Sequence, residues 1–155
     1  MAKEWQVCPE TKDLIEKLVE KFPTVFTHVN TDHISCIIAT GGQAPQQGNA
    51  LAKISTINSK VKTATGTPYD FILEVYEANW YEQDLRQKQA IVFHELMHID
   101  PDSEEDAPKL RKHDLEDFYQ IMNVWGIDYL HNSQLPDLLD DSLSEEDYGF
   151  VNVRQ

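Results

Sequence analysis

The stretch His94-Glu95-Leu96-Met97-His98 decides how the rest of the chain is interpreted. On an α-helix, residues four positions apart lie one above the other, so the imidazoles of His94 and His98 can converge on one metal ion. Imidazole nitrogens suit Zn²⁺, which in catalytic sites keeps one position open for water. Glu95 lies beside them and can take the proton of that water, whose pKa zinc lowers to about 7. The spacing therefore predicts zinc-dependent hydrolysis.

The residues around this motif predict a buried helix. Asp84 is a suitable N-cap and Gln87 follows three residues later, which is a variant of the capping box. No glycine or proline interrupts residues 85–99, and Pro101 ends the helix because the residue before a proline avoids the α region. Burying two histidines and a glutamate in such a helix costs free energy unless their polar atoms have partners. A metal ion and its bound water would supply those partners. Apolar residues surround the helix: Ala90, Ile91, Val92, Phe93, Leu96, Met97 and Ile99.

Upstream of the motif, hydrophobic spacing predicts one helix and three strands. Residues Thr11 to Phe22 form an amphipathic helical pattern that ends at a proline. The ranges 33–40, 51–57 and 69–78 have strand patterns, and the polar range 58–68 is typical of a turn. The last of these strands comes directly before the helix that carries His94 and His98, which we call the metal helix. If it forms the edge of the sheet, an extended peptide substrate could add to it through main-chain hydrogen bonds.

A catalytic zinc usually takes three protein ligands, and His113 is the first candidate for the third. Asp114 can cap a helix whose apolar residues recur at helical spacing, so His113 lies at the entrance of that helix. It lies far enough along the chain for a return loop to bring it back to the histidine pair. The carboxylates of Asp114, Glu116 and Asp117, or one in the range 100–106, are the alternatives.

Two acidic segments lie beyond the motif. The range 100–106 holds five acidic residues, and it fits a solvated linker better than a calcium loop because the glycine-centred EF-hand spacing is missing. Residues 135–155 are rich in carboxylates with little periodicity, which predicts a mobile or loosely packed tail. A sharper hypothesis makes this tail a plug that offers a carboxylate to the zinc. We therefore expect one domain over residues 1–134 and an acidic tail over residues 135–155.

Composition limits the class of protein. A chain of 155 residues with 41% hydrophobic residues suits one domain with a real core. The net charge of −14 argues against nucleic acid or an anionic membrane as partner. No apolar run could span a membrane, and the amino terminus lacks the apolar region of a signal peptide. Cys8 and Cys36 lack metal-binding spacing, which favours reduced thiols and a cytoplasmic location.

Several stretches of the chain match the pattern of a known family. They are Asp70-Phe71-Ile72-Leu73-Glu74-Val75, Trp80, the range Ala90 to His98, the range His113 to Phe118, and Trp125-Gly126. On these residues, over about residues 12 to 130, the chain resembles the phage metallopeptidase family. That family is zincin-like, and the resemblance implies that His94, His98 and His113 bind zinc while Glu95 is the general base. The chain is more distantly similar to SprT-like peptidases, which share the strand and the HExxH helix. A phage-encoded protein of this kind would act in the host cytoplasm.

Together these features predict an α+β, zincin-like domain, in which a small twisted antiparallel or mixed sheet packs on the HExxH helix and on further helices. The predicted activity is hydrolysis of peptide bonds in a peptide or protein substrate. Tyr76 and Tyr129 are candidates for stabilising the oxyanion because a phenol can donate to it, although each also fits a packing role. The rival hypothesis is a non-catalytic acidic interaction protein whose structural zinc has four protein ligands.

Overall fold

The computed structural model describes residues 4–41, 51–103, 108–112 and 136–149, and these form an α+β fold with one four-stranded sheet. Short 3₁₀ turns lie at Thr31–His33 and Glu145–Tyr148. The predicted class, a small mixed sheet packed on helices, is confirmed. In chain order the strands and helices are β1 (Glu4–Val7), α1 (Pro9–Lys21), β2 (Ile34–Thr40), β3 (Ala52–Thr56), α2 (Ser59–Thr65), β4 (Phe71–Tyr76), α3 (Glu77–Trp80) and α4 (Leu85–Met97).

The strands lie in the order β1-β2-β4-β3. β4 pairs parallel with β2 and antiparallel with β3, and this register sets Leu73 between Cys36 and Ile54 in one buried row. Because β4 has a neighbour on each side, its main-chain groups are already used in the sheet. The prediction that strand 69–78 could receive a peptide as an edge strand is therefore wrong. Of the described strands, β1 and β3 form the two edges.

One face of this sheet and the helices α1 and α4 enclose the hydrophobic core. Phe93 of α4 packs edge-on against Phe22 and Phe26, with ring centroids 5.2 and 4.9 Å apart. Edge-to-face aromatic pairs add to the free energy gained by burying the rings. Large buried side chains therefore hold α4 against its neighbours. The largest of them are Trp80, Phe22, Phe26, Phe93, Ile15, Leu18, Ile34, Leu73 and Leu96.

Two helices differ from the predictions. The helix predicted over Thr11 to Phe22 begins earlier, at Pro9, because proline is tolerated in a first turn that needs no N–H. The range 58–68, predicted as a turn, contains α2, which Asn58 caps and Gly66 ends with φ 68°. Since α2 has no buried residue, it shows no apolar stripe that could have revealed it. No helix of the described ranges is long and apolar enough to cross a membrane.

Residues 136–149, part of the tail predicted to be mobile or loosely packed, pack against the core. Leu138 of this segment is fully buried. The buried carboxylate of Glu145 accepts hydrogen bonds from the backbone N–H groups of Thr24 and Val25, at 3.0 and 2.8 Å. These charge-assisted hydrogen bonds stabilise the contact between the segment and the backbone at Thr24 and Val25. The boundary between a domain and a tail near residue 135 stays a prediction.

Candidate metal centre

Helix α4 begins with the capping box that the sequence predicts. The Asp84 carboxylate accepts a hydrogen bond from the Gln87 backbone N–H at 2.8 Å, and the Gln87 side chain accepts one from the Asp84 N–H at 2.9 Å. The single turn α3 separates this helix from β4, so the strand does not lead into it directly. α4 extends to Met97, and His98 is its C-cap. The motif therefore occupies the last turn of a helix whose start is set by local hydrogen bonds.

His94, Glu95 and His98 form one cluster at this end of α4. One ligand atom of each residue lies within 4.8 Å of those of the other two. The two imidazole rings have centroids 5.3 Å apart, and Oε2 of Glu95 lies 3.9 Å from Nε2 of His98. Glu95 is buried, whereas both histidines are half-buried. The cluster thus combines two imidazoles that solvent can reach with a carboxylate held inside.

The backbone of Arg111 determines which nitrogen of His98 can take a metal. Nδ1 of His98 lies 2.7 Å from the Arg111 carbonyl oxygen. Because a carbonyl oxygen can only accept, Nδ1 carries a proton, and in the neutral imidazole Nε2 then carries the lone pair. Residues 98–103 and 108–111, the return hairpin, hold Arg111 there: its N–H donates to the His98 carbonyl at 2.6 Å, and Ile99 forms a β-bridge with Leu110.

The donor set of this cluster suits Zn²⁺. Neutral imidazoles are good zinc ligands, and a ligand histidine usually donates its other N–H to a carbonyl or carboxylate, as His98 does here. Within the described ranges, this is the one group of three or more possible ligands that converge. If Glu95 is kept for proton transfer, a catalytic zinc would take its third protein ligand from elsewhere in the chain.

Tyr76 ends β4 near this cluster. Burial, a hydrogen bond to the Glu74 side chain, and the negative charges of Glu74 and Glu95 raise the pKa of Tyr76 to about 12. The phenol therefore stays protonated at neutral pH and can act as a donor. Its hydrogen bond to Glu74 agrees with the packing role, and stabilisation of an oxyanion by Tyr76 stays a prediction.

Several predicted site residues lie outside the described ranges. These are His113, the alternative ligands Asp114, Glu116 and Asp117, and Tyr129. The described part of the 100–106 segment is a turn in which Asp100 accepts from the N–H of Asp102 at 2.9 Å, and no calcium-binding cluster is found among the described residues. No carboxylate of residues 136–149 joins the His94 cluster, so this part of the tail does not form the predicted plug.

The roles of two residues, Gln89 on α4 and Arg111 beside its end, were not predicted from the sequence. Arg111 contacts His98 through its backbone carbonyl. Every residue type has this group, so the sequence gives no sign of the contact. Gln89 is a fully buried amide in the apolar helix, and it carries no charge or metal-binding atom that would mark it as a site residue. A buried glutamine implies hydrogen-bond partners, so its position among apolar residues was an available signal.

A mixed sheet packed on a helix that carries HExxH near its end defines a zincin-like metallopeptidase fold. The chain belongs to the family described as "Putative phage metallopeptidase", whose family model matches residues 3–141. The predicted family is therefore confirmed over most of the chain, including α4 and the return hairpin. No curated protein and no solved structure matches the chain significantly.

Proposed function

We propose that this protein is a zinc metallopeptidase that hydrolyses peptide bonds in peptide or protein substrates. The observation that carries the proposal is the convergence of His94, Glu95 and His98 within 4.8 Å. The hydrogen bond from His98 to Arg111 supports it, because it presents Nε2 to the same space. Membership of a metallopeptidase family supports a hydrolase with a bound metal ion.

We assign the third ligand to His113. The carbonyl of Arg111 lies 2.7 Å from His98, and His113 follows Arg111 by two residues. Two residues of extended chain reach at most about 7 Å, so chain length allows a ligand two residues after Arg111 to reach the histidine pair. The return hairpin thereby supports the role that the family resemblance implies. Asp114, Glu116 and Asp117 follow within the same few residues and are the alternatives to be tested.

The chain's own residues have separate tasks in this mechanism. His94 and His98 would hold the ion through neutral imidazoles. Zn²⁺, when bound, supplies a Lewis acid that polarises the scissile carbonyl and acidifies a water molecule. Glu95 takes a proton from the attacking water, whose oxygen forms a bond to the carbonyl carbon. The Glu95 carboxyl then gives that proton to the amide nitrogen, which leaves as an amine when the C–N bond breaks.

The substrate lies along β3 in this proposal. β3 pairs with β4 on one side only among the described strands, and it contacts α4, the helix that bears the metal cluster. An extended peptide can add to such an edge through main-chain hydrogen bonds, which require no particular side chains. Recognition of this kind favours extended or unfolded segments of proteins over compact ones.

The experiment that tests the proposal compares wild-type protein with Glu95→Gln after both are loaded with zinc. Glutamine keeps the shape of the side chain but cannot take a proton, so zinc should stay bound while hydrolysis of an unfolded protein substrate is lost by at least about 100-fold. Full activity in Glu95→Gln would show that Glu95 is not the base.

His98→Ala is the companion variant, because it removes a ligand instead of the base. It should weaken zinc binding itself, by at least about tenfold. The rival hypothesis of a structural zinc in an acidic interaction protein makes a different prediction. In that case the wild type would bind zinc without hydrolysing any substrate, and its zinc would have four protein ligands.

We also propose where the protein acts and which partners it has. Cys8 and Cys36 are both free and buried, which fits action in the cytoplasm, that of the host if the protein is phage-encoded. The net charge of −14 disfavours a nucleic-acid partner and leaves peptide or protein substrates as the expected partners.

A further inference from the structure

Arg111 contacts the end of the metal helix at three points. Its carbonyl oxygen accepts from Nδ1 of His98 at 2.7 Å, and its N–H donates to the His98 carbonyl at 2.6 Å. Its side chain returns to the helix, where Nε donates to the carbonyl of Met97 at 2.7 Å. The last carbonyls of a helix have no partner within the helix, and a positive charge there interacts favourably with the helix dipole. One residue thus supports both the helix end and the imidazole that follows it.

We propose that Arg111 is a positioning residue for the metal site, and that its side chain keeps the His98 imidazole in the orientation and tautomer that bind the ion. The proposal rests on the proposed zinc site for its functional meaning. Arg111 touches neither substrate nor the reacting atoms; it acts through His98. The family match supplies no role for this residue.

The Arg111 carbonyl is kept in place by two separate sets of contacts. The carbonyl belongs to the return hairpin, which meets α4 through a few hydrogen bonds near Ile99. The hydrogen bond from Nε to the Met97 carbonyl is a second contact between Arg111 and the helix, and it is made by the side chain instead of the backbone. Without the guanidinium, the Met97 carbonyl loses a charged donor, and the hairpin can move relative to the helix. The His98 ring then loses the acceptor that selects its Nδ1–H tautomer.

Lys109 provides a matched comparison within the same hairpin. It is exposed, and its carbonyl accepts from the Asp100 N–H at 3.0 Å and from the Ser103 hydroxyl at 3.0 Å. These are backbone contacts of Lys109, so removing its side chain takes away one positive charge and leaves them in place. A general effect of charge near the metal site would therefore appear equally in Lys109→Ala and in an Arg111 variant.

The test uses the full chain as wild type, Arg111→Met, Arg111→Lys and Lys109→Ala. Methionine keeps an aliphatic stem of similar length without a donor, whereas lysine keeps a charge and a donor. Two quantities are measured: the tautomer of His98 in the metal-free protein, from ¹⁵N-histidine NMR spectra, and the zinc dissociation constant, from competition with a chelator. Thermal unfolding of each metal-free variant identifies any that fails to fold.

The proposal predicts that wild type and Lys109→Ala show the Nδ1–H tautomer of His98 and the same zinc affinity. Arg111→Met should show a mixture of tautomers and bind zinc at least about tenfold more weakly, and Arg111→Lys should recover part of the loss. Wild-type tautomer and affinity in Arg111→Met would overturn the proposal, and so would equal losses in Arg111→Met and Lys109→Ala. If Arg111→Met does not fold, a partial loss of zinc affinity in Arg111→Lys beside an unchanged Lys109→Ala supports the proposal. Equal zinc affinities in Arg111→Lys and Lys109→Ala, whether lowered or unchanged, overturn it.

These readouts separate this inference from the proposed function. A wild-type protein that binds zinc but hydrolyses nothing would contradict the peptidase proposal and leave the positioning role of Arg111 intact. A wild-type protein with the other His98 tautomer would contradict the positioning role, whatever its activity.

Discussion

The backbone N–H of Leu138 donates a hydrogen bond to Oε1 of Gln89, at 2.8 Å, inside the protein. The other half of the same carboxamide donates from Nε2 to the Asp137 carboxylate at 2.9 Å. Gln89 lies on α4, five residues before His94, and both it and Leu138 are fully buried. The segment 136–149 is therefore attached to the metal helix by a buried amide whose two ends are both satisfied.

Replacing Gln89 by leucine should destabilise the protein. The change keeps the approximate size of the side chain but leaves the Leu138 N–H and the Asp137 carboxylate without this partner in a buried contact. We expect the free energy of unfolding to fall by about 2 to 3 kcal/mol, measured by denaturant titration. A change below about 0.5 kcal/mol would show that the contact contributes little to the stability of the folded chain.

The Asp137 end of this contact has a matched control. Asp137→Asn weakens the acceptor for Gln89 and should cost about 1 kcal/mol, since a charged acceptor makes a stronger hydrogen bond than a neutral one. Asp141→Asn changes charge by the same amount at an exposed position of the same segment and should leave stability nearly unchanged. Equal effects of both variants would assign the change to overall charge.

The metal prediction is one Zn²⁺ per chain, held by the cluster of His94 and His98. Elemental analysis of protein purified without chelator and refilled with zinc should give about one equivalent. Zinc at 100 times its dissociation constant adds about 2.7 kcal/mol to the stability of the folded state, so a chelator should lower the melting temperature. The double variant His94→Ala, His98→Ala is the control, and its melting temperature should not respond to chelator. A refilled wild type without metal would contradict the zinc site.

The third ligand can be assigned by titrating zinc into His113→Ala, Asp114→Asn, Glu116→Gln and Asp117→Asn at one pH. We expect His113→Ala to bind zinc more than about tenfold more weakly, because the loss of a ligand also disturbs the order of the remaining imidazoles. The pH must be held constant since protons compete with zinc for each ligand. Unchanged affinity in His113→Ala, with a large loss in one carboxylate variant, would transfer the third position to that carboxylate.

The two cysteines should react slowly in the folded protein. Cys8 and Cys36 are both buried, and burial raises the pKa of the Cys36 thiol from 9.0 to about 12. Only the thiolate is nucleophilic, so an aromatic disulfide reagent at pH 8 should find almost no reactive thiol until denaturant exposes both. Rapid modification of the folded protein at that pH would contradict this prediction.

The same shift in the Cys36 pKa has a consequence for stability. The folded pKa, about 12, is raised above the ordinary 9.0 of an exposed thiol. Between pH 9 and 12 the Cys36 thiol ionises in the unfolded chain but stays protonated in the folded one. The stability that the neutral Cys36 thiol contributes is therefore complete below pH 9 and is lost as the pH rises from 9 towards 12. Cys36→Ala should make the free energy of unfolding less dependent on pH in this range, as measured by denaturant titration at several values. Equal pH dependence in the variant and the wild type would contradict this assignment.

Local interactions made much of the fold predictable. The capping box of Asp84 and Gln87 depends on residues three apart, and the HExxH spacing depends on residues four apart, so both could be predicted from adjacent sequence. The strands β2, β3 and β4 were predicted from alternating or β-branched runs, with limits within a few residues of the observed ones. α2 was missed because a helix without a buried face shows no periodic apolar pattern.

The sequence by itself thus determined that α4 is a helix, that His94 and His98 lie on one face of it, and that the chain belongs to this family. Only the tertiary structure decided that β4 is an inner strand, that residues 136–149 pack on α1 and α4, and that the Arg111 carbonyl lies against Nδ1 of His98. These features depend on hydrogen bonds between residues far apart along the chain, such as Val25 with Glu145. A backbone N–H is common to nearly every residue type, so the choice of its distant partner leaves no local pattern in the sequence.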